Sequence, residues 1–286
     1  MRASRSAAIT AMAAAFGLQA CTTTLGTPPL ANCGDGGKIG LFDPSRDLLV
    51  ANYDSKPDVD DLQAVAGLGS VLAHPDFACV DYIATSGAYG SQGGKFLVAP
   101  ALFSLAFGDK WLDAHGARNS TIAALAERMQ ATIAAGGRVW VAEAGQSDVT
   151  AASVDRLPKE MWTSVHVVQH SYWNESQSSK EAMQTVVYGT RYHRIQDGNF
   201  PDNGSPAFNT FDGSHWQALL SDPEVGPIWR EAKRLSDLHN PVADYVNPAV
   251  AAGGLDFSDT VEIAYIFGFD DMQGVSEFVE RFANND

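Results

Sequence analysis

Four carboxylates occur within eight residues of this 286-residue chain: Asp54, Asp58, Asp60 and Asp61. Side chains of like charge repel one another at this density unless a cation lies among them. Carboxylate oxygens are the ligands that Ca²⁺ prefers, and they also accept hydrogen bonds from sugar hydroxyls. Helix capping is the alternative interpretation, since Asp is a favourable N-cap and acidic residues stabilise a first helical turn. Capping accounts for one or two of the four, so the cluster predicts a functional site, with Lys56 or a metal ion as its positive charge.

The segments on either side place this cluster between a strand and a helix. The apolar run at 48–50 is typical of a buried strand. Leu62, Val65, Gly69 and Leu72 recur at spacings of three and four, which predicts one face of a helix. In an open parallel sheet, ligands bind where strands end and loops lead into helices. The sequence therefore puts the four carboxylates at a binding edge.

The order strand, polar loop, helix repeats through the N-terminal half of the chain. Further strands are predicted at 78–84, 138–142 and 164–168, with helices at 94–107 and, after Ser120 as N-cap, at 121–135. This order predicts an α/β fold, a Rossmann-like, mostly parallel sheet with helices on both faces. No Gly-x-Gly-x-x-Gly motif follows the first strand, which argues against a dinucleotide ligand.

The C-terminal half is less regular. It predicts a strand at 186–195, a polar loop at 196–209, and helices near 214–220, at 227–238, up to Phe267, and at 274–283. Asp259 stands directly before the apolar helix that ends at Phe267, so N-capping is the alternative to a role in the site. His170, Asn174 and Glu175 follow the fourth predicted strand; we interpret them as site groups, with a solvated loop as the alternative.

The first 20 residues have the pattern of an export signal. Arg2 and Arg5 precede a mostly apolar run that is too short to span a bilayer. Leu18-Gln19-Ala20-Cys21 resembles a bacterial lipobox, which implies cleavage before Cys21 and a lipid on its sulfur. An ordinary secretory signal is the alternative. Thr22, by resemblance to sorted lipoproteins, favours the outer membrane.

These features predict a domain organisation and a location. We expect a lipoprotein signal peptide at 1–20, a tether at 21–40 and one folded domain at 41–286. The protein is then lipid-anchored in a bacterial cell envelope, at the outer membrane facing the periplasm or the exterior. The two cysteines besides Cys21 are Cys33 and Cys79, and outside the cytoplasm they are expected to pair.

Composition restricts the class of partner. The chain is 45% hydrophobic and 19% charged, which is typical of a globular protein. Its formal net charge of −15 becomes −17 once residues 1–20, with Arg2 and Arg5, are removed. So acidic a protein is a poor candidate for nucleic acid or anionic lipid. A small molecule is the expected partner, with membrane contact through the lipid anchor alone.

Five motifs together resemble the nucleoside hydrolases over roughly residues 45–270. The segment from Asp54 to Asp61 resembles the family signature Asp-x-Asp-Pro-Gly-x-Asp-Asp, at the same place between the first strand and the first helix. The other four are Tyr82-Ile-Ala-Thr85-Ser-Gly87, Ala144-Gly145-Gln-Ser-Asp148, Gly198-Asn199 followed by Pro206-Ala207-Phe208-Asn209, and Ser258-Asp259.

The resemblance implies a Ca²⁺ ion held by carboxylates of the first and last motifs, and a water that attacks C1′ of a nucleoside. On this basis Asp61 and Asp259 are expected metal ligands, with a third oxygen from Asp148. If the protein is such a hydrolase, we expect Asp54 to orient the loop and Asp60 or Asp58 to activate the water. The resemblance of the fourth motif implies that Asn199 and Asn209 bind the sugar hydroxyls.

Departures from the family pattern leave a second hypothesis open. Lys56 stands where the family has its second Asp, Asp58 replaces a Gly, and Ser258 replaces a His that assists the leaving base. Phe208 also lacks the preceding Glu. The first hypothesis is an N-glycosyl hydrolase acting outside the cytoplasm. The alternative is a sugar- or nucleoside-binding lipoprotein without catalysis, which Lys56 favours if its ammonium takes the place of the metal. Action on a different glycan bond is a third possibility.

Overall fold

Six parallel strands form the central sheet in a computed structural model, which describes residues 37–283. Their order across the sheet is β3-β2-β1-β4-β5-β6, and every neighbouring pair is parallel. The strands are β1 (Leu48–Tyr53), β2 (Asp81–Ser86), β3 (Trp111–Asp113), β4 (Val139–Ala144), β5 (Val165–Gln169) and β6 (Arg191–Arg194).

Helices connect these strands, and further helices follow the last of them. The N-terminal helices are α1 (Asp60–Ala73), α2 (Pro100–Phe107), α3 (Arg118–Ala134), α4 (Asp148–Val154), α5 (Tyr172–Gln177) and α6 (Lys180–Gly189). The later ones are α7 (Trp216–Ser221), α8 (Gly226–His239), α9 (Pro248–Ala251), α10 (Val261–Phe267) and α11 (Val275–Phe282). A short antiparallel ribbon joins β7 (Asn209–Thr210) to β8 (Leu255–Asp256).

The sheet is covered on both faces, as the continuous apolar strands require. All six residues of β1 are buried. Leu49, Ala51 and Tyr53 belong to one hydrophobic cluster, which includes side chains of α1, α2, α8, α10 and α11. Leu48 and Val50 belong to a second cluster with side chains of α3, α4 and α6. The predicted α/β architecture, a Rossmann-like parallel sheet between two helical layers, is confirmed.

Three local predictions were wrong. The helix expected from residue 94 begins at Pro100, because residues 88–98 instead form a loop whose Leu97 amide bonds to the Ser55 carbonyl. Helix α3 starts at Arg118 without a side-chain cap, and the Ser120 hydroxyl donates to the Ala117 carbonyl instead of capping. The strand expected at 186–195 is shorter, because Val186 and its neighbours complete the amphipathic helix α6 before β6 begins.

Several predictions concern residues outside 37–283. The signal peptide, Cys21 with its lipid, most of the tether and Cys33 all lie outside the described residues. Cys79 is disulfide-bonded. The last residues of the predicted tether are folded: Ile39 pairs with Phe42, and Gly40 lies against the backbone of Phe267. Across the described part of the chain, every helix is too short or too polar to cross a bilayer.

Candidate active site

The candidate site lies at the carboxyl ends of the central strands. Asp54 directly follows β1, while Asp60 and Asp61 begin α1. His170 directly follows β5. Asp259 lies in the 3-10 turn of Ser258–Thr260 that leads into α10. The parallel topology gathers these residues at one edge although they are up to about 200 positions apart in the sequence.

Three of these carboxylates are close enough to share one cation. Asp60, Asp61 and Asp259 each offer a carboxylate oxygen, and the three oxygens lie within 4.8 Å of one another. Asp61 Oδ2 accepts a hydrogen bond from the Ser55 amide at 2.5 Å, whereas Asp61 Oδ1 is buried and has no hydrogen-bond partner. An all-oxygen donor set with an unsatisfied buried oxygen fits a hard divalent ion such as Ca²⁺.

Two carboxyl–carboxyl pairs form within the cluster. Asp54 hydrogen-bonds to Asp61, and Asp58 hydrogen-bonds to Asp60. Burial raises the pKa of Asp54 to about 7 and the pKa of Asp58 to about 6. Burial and the neighbouring negative charges raise the pKa values of Asp60 and Asp61 well above the usual range. Each pair needs a shared proton or a cation to remain in contact.

The Lys56 ammonium points away from the carboxylates. Its Nζ donates to the Gln92 carbonyl oxygen at 2.6 Å and lies 3.7 Å from the centroid of the Tyr89 ring. Burial lowers the pKa of Lys56, and the charge of Asp54 opposes that shift. Within residues 37–283, Lys56 makes no ion pair. It therefore does not occupy the place of a cation between Asp60, Asp61 and Asp259.

Asp54 is fixed by neighbours on both sides. Its Oδ1 accepts from the Lys56 amide at 3.0 Å, and its Oδ2 accepts from Gln146 Nε2 at 2.5 Å. Gly145 lies so close that a Cβ there would approach the Asp54 Cβ to 2.7 Å. The segment that resembles the family turn at 144–148 thus holds the first aspartate through Gln146.

A second acidic group, Asp256, joins the cluster through an amide. Asn247 Nδ2 donates to Asp256 Oδ2 at 2.8 Å and to Asp58 Oδ2 at 3.3 Å. Burial raises the pKa of Asp256 to about 6, and the charge of Asp60 adds to that shift. Neither Asp256 nor Asn247 was predicted from the sequence.

His170 lies between two acidic side chains. Its Nδ1 is 2.6 Å from Glu262 Oε1, and its Nε2 is 3.5 Å from Asp259 Oδ1. Burial opposes protonation, but the charge and hydrogen bond of Glu262 outweigh it and raise the pKa of His170 to about 9. His170 is 3% exposed and Glu262 is fully buried, so this is an internal ion pair.

The sequence did not identify Glu262, although a signal was present. Asp256, Asp259 and Glu262 follow one another at spacings of three. That spacing puts acidic groups on one side of the turn and of the first turn of α10. Burial raises the pKa of Asp259 well above its usual range, and the charges of Asp60 and Asp61 add to the shift.

The other residues predicted after β5 have different environments. Asn174 is buried in α5, where its carbonyl accepts from the Ser178 hydroxyl at 3.0 Å. Glu175 is bound by Arg194, which donates from Nε at 2.5 Å and from Nη2 at 2.8 Å, and by Tyr192. The alternative interpretation, a solvated loop, does not describe Asn174 and Glu175, because both lie in the helix α5 and the Glu175 carboxylate is held in an ion pair with Arg194.

Asn199 and Asn209 lie together. Asn209 Nδ2 donates to Asn199 Oδ1 at 3.0 Å, and Asn199 Nδ2 donates to Asp197 Oδ1 at 3.0 Å. Gly198 packs so closely on the Ser258 carbonyl that a Cβ there would approach it to 2.6 Å. The loop that carries the two asparagines therefore lies against the turn that carries Asp259.

Asp148 is not part of the three-carboxylate cluster. Its Oδ2 accepts from the Ser179 amide at 3.1 Å, and the Gly90 backbone lies against its carboxylate. Asp60, which the sequence suggested as a base, takes the third position beside Asp61 and Asp259. The structure thus brings together two of the three predicted ligands and adds a different third.

A further buried acidic residue, Glu143, lies near the carboxyl ends of β1 and β4. Glu143 on β4 pairs in register with Asn52 on β1, and Asn52 Nδ2 donates to Glu143 Oε1 at 3.2 Å. The Thr150 hydroxyl also donates to Glu143. Burial raises the pKa of Glu143 to about 8.

A cavity of about 420 Å³ lies elsewhere, between the 201–207 loop and residues 270–273. It is lined by none of the clustered carboxylates. The site at the strand ends is the better candidate, because buried acidic residues with raised pKa values and converging polar groups are typical of active sites.

Comparison with solved structures finds a distant similarity to this chain. No protein-family model and no curated protein matches the sequence. A solved plant nucleoside hydrolase overlaps with a TM-score of 0.40 and 11% sequence identity, covering 77% of this chain and 79% of that one. The chemistry of the site rests on its own side chains.

Proposed function

We propose that this protein is a hydrolase of N-glycosidic bonds of the nucleoside type, assisted by a divalent cation. The observation that carries the proposal is the grouping of Asp60, Asp61 and Asp259, with Asp61 Oδ1 buried and unpaired and Lys56 directed elsewhere. These three residues would hold the ion, and Ca²⁺ suits their oxygen-only donors. A bound cation of this kind lowers the pKa of water and makes it a better nucleophile.

The remaining residues have roles that follow from their positions. Asp58 is suited to accept a proton from water, because a base works best when its pKa lies near the working pH and its pKa is about 6. The surrounding carboxylates stabilise the positive charge that develops on the sugar as the glycosidic bond breaks. Asn199 and Asn209 offer amides for sugar hydroxyls. Asp54, held by Gln146, orients the loop that carries Asp58.

Release of sugar tests this proposal. Purified protein with Ca²⁺ is incubated with a panel of purine, pyrimidine and pyridine nucleosides, and free reducing sugar is measured. We expect turnover by the native protein and a loss of at least 100-fold with Asp61→Asn. Asp109→Asn, a change at an exposed aspartate, serves as the matched control. Absence of turnover for every nucleoside, with a correctly folded protein, would contradict the proposal.

The alternative, a binding protein without catalysis, makes a different prediction. A Lys56 ammonium located among the carboxylates would favour a binding protein. That ammonium instead donates a hydrogen bond to the Gln92 carbonyl. A binding protein would give a calorimetric signal with nucleosides and return them unchanged after prolonged incubation. The same panel therefore separates the two functions.

We also propose that the protein acts in the bacterial cell envelope, anchored at the outer membrane by a lipid on Cys21. The support is the sequence Leu18-Gln19-Ala20-Cys21, followed by Thr22. Membrane fractionation of cells that express Cys21→Ser should move the protein from the membrane to the soluble fraction. Unchanged partition into detergent would contradict the anchor.

A further inference from the structure

The side-chain amide of Gln92, in the 88–98 loop, has a hydrogen-bond donor without an acceptor. Gln92 is 8% exposed, and its Nε2 is buried and forms no hydrogen bond with the described residues. Buried polar groups in folded proteins are nearly always paired, because an unpaired group loses its hydration without compensation. A buried donor of this kind therefore points to an acceptor atom of a ligand.

The orientation of this amide is fixed by a chain of hydrogen bonds. The Gly90 main-chain amide, which can only donate, donates to Gln146 Oε1 at 3.2 Å. Gln146 Nε2 therefore faces the other way, and it donates to Asp54 Oδ2 and to Gln92 Oε1. Rotating the Gln92 amide by half a turn would place two nitrogen donors against each other. Gln92 Nε2 is consequently the free end of the chain, and it can only donate.

The Gln92 side chain lies beside the acidic cluster on which the proposed function rests. Gln146 Nε2 donates to both Gln92 and Asp54, so Gln146 connects the loop directly to the first aspartate of the cluster. A Cβ built on Gly94 would lie 3.1 Å from the Pro57 Cβ, so the loop also packs on the segment after β1. A sugar hydroxyl both donates and accepts. The carboxyl groups of the cluster offer acceptors for its hydrogen, and Gln92 Nε2 offers a donor for its oxygen.

The middle of the loop is held by few main-chain hydrogen bonds. The amides of residues 91–94 donate none to the described residues. Gly94 has a φ of +94°, and a Cβ built on Gly93 would meet no atom within 4 Å. Segments with few contacts and few main-chain hydrogen bonds open locally at low free energy. Residues 91–94 are therefore suited to lift when a substrate enters and to close over it afterwards.

On the basis of the proposed function, we infer that Gln92 is a substrate-binding residue that determines specificity for the sugar. Its Nε2 donates a hydrogen bond to one sugar hydroxyl oxygen when residues 91–94 close over the site. That hydroxyl in turn donates to a carboxyl group of the cluster. A sugar that lacks the hydroxyl is rejected, because the Gln92 donor then stays buried without an acceptor.

Deoxynucleosides combined with a substitution at Gln92 test the inference. The substrates are adenosine and its 2′-, 3′- and 5′-deoxy derivatives, and kcat/KM is measured with Ca²⁺ present. Gln92→Met removes the donor at similar side-chain length, and we expect about a tenfold loss of kcat/KM with adenosine. With the one derivative that lacks the bound hydroxyl, the same substitution should cost less than about twofold, since the hydrogen bond is already absent. The other two derivatives should show the full loss.

Further measurements separate substrate binding from a structural role. Gln130→Met, a change at an exposed glutamine of α3, is the matched control and should leave every rate unchanged. Gln92→Asn keeps an amide but shortens the side chain, so it should show the same dependence on one hydroxyl as Gln92→Met. The rise in melting temperature with calcium should be retained in both Gln92 variants. Loss of that rise would mean that Gln92 organises the ligands of the cation, and it would overturn the inference.

The possible outcomes distinguish this inference from the proposed function. No loss in Gln92→Met, or an equal loss with all four nucleosides, would overturn the inference and leave the proposed function in place. Calorimetry on the same series gives a second measurement. Binding of adenosine without turnover would overturn the proposed function, and the inference would then require Gln92→Met to weaken the Kd in the same hydroxyl-dependent pattern. Neither turnover nor binding of any member would overturn both.

Discussion

The Lys56 ammonium lies 2.6 Å from the Gln92 carbonyl oxygen, and this contact decides how the acidic cluster is neutralised. It connects the loop after β1 to the loop after β2, so that, among the described residues, Asp60 and Asp61 form no ion pair, and Asp259 has only His170, at 3.5 Å. Mutual repulsion among these buried carboxylates costs stability unless protons or a metal ion are present.

Calcium is expected to stabilise the protein. An ion that binds only the folded state at 100 times its Kd adds about 2.7 kcal/mol to the free energy of unfolding. For a chain of this size, that raises the melting temperature by roughly 5–10 °C. Asp61→Asn should abolish the rise, while Asp109→Asn should retain it. Scanning calorimetry with and without chelator makes the measurement, and an equal rise in Asp61→Asn would contradict the assigned ligand.

Lys56→Met is expected to affect the loop more than the metal site. The substitution removes the hydrogen bond to Gln92, so the 88–98 loop should open more often. Hydrogen exchange at the Leu97 amide, which bonds to the Ser55 carbonyl, should accelerate at least tenfold. Calcium affinity, measured by calorimetry, should change by only a few fold and towards tighter binding, since a positive charge is lost. Loss of calcium binding would show that Lys56 organises the ligands after all.

The pair of His170 and Glu262 is expected to give a pH-dependent contribution to stability. The folded-state pKa of His170, about 9, lies above the usual value of 6.5. The contribution is therefore fully present below about pH 6.5 and is lost as pH rises through about 9. Glu262→Gln should lower the free energy of unfolding by roughly 3–5 kcal/mol at pH 6, because it leaves a buried charge unpaired.

Urea unfolding across this pH range makes the comparison, with exposed Glu280→Gln as the control. The difference between the native protein and Glu262→Gln should shrink above pH 9. A difference that stays constant with pH would mean that Glu262 acts by packing alone.

Glu143 is expected to affect stability over a lower pH range. Burial raises its pKa from 4.5 to about 8, so the folded state holds the proton more tightly than the unfolded chain does. Its stabilisation is full below about pH 4.5 and falls as pH rises to about 8. Glu143→Gln remains neutral, so it should gain on the native protein by at most about 1.4 kcal/mol per pH unit in this window. Urea unfolding in chelator tests this, and parallel pH profiles would refute it.

Much of the fold was predictable because its signals are local. The strands at 48–53 and 139–144 are buried on both faces. Continuous apolar runs of this kind indicate a parallel sheet from the local sequence alone. The end of α6 was misjudged for a physical reason. Val186 faces the core from a helix, and an apolar run that short has no period to distinguish helix from strand.

The site was predicted in part. Asp54, Asp60, Asp61 and Asp259 were found through their spacing and the family resemblance, and the structure brings them to one edge of the sheet. The direction of Lys56 was not predictable, because it depends on a backbone carbonyl 36 positions away. The partnership of His170 with Glu262 spans 92 positions and depends on how α10 packs beneath β5.

The antiparallel ribbon of β7 and β8 connects the proposed sugar-binding asparagine to the acidic cluster. Asn209, proposed to hold sugar, lies directly opposite Asp256, which shares Asn247 with Asp58. A sugar that fixes the position of Asn209 therefore also restrains the acidic side, and a cation that orders the acidic side restrains Asn209. Such coupling is reciprocal by thermodynamic necessity. We expect the sugar and the cation each to tighten the binding of the other by the same factor. The protein would then be fully ligated mainly when both are present.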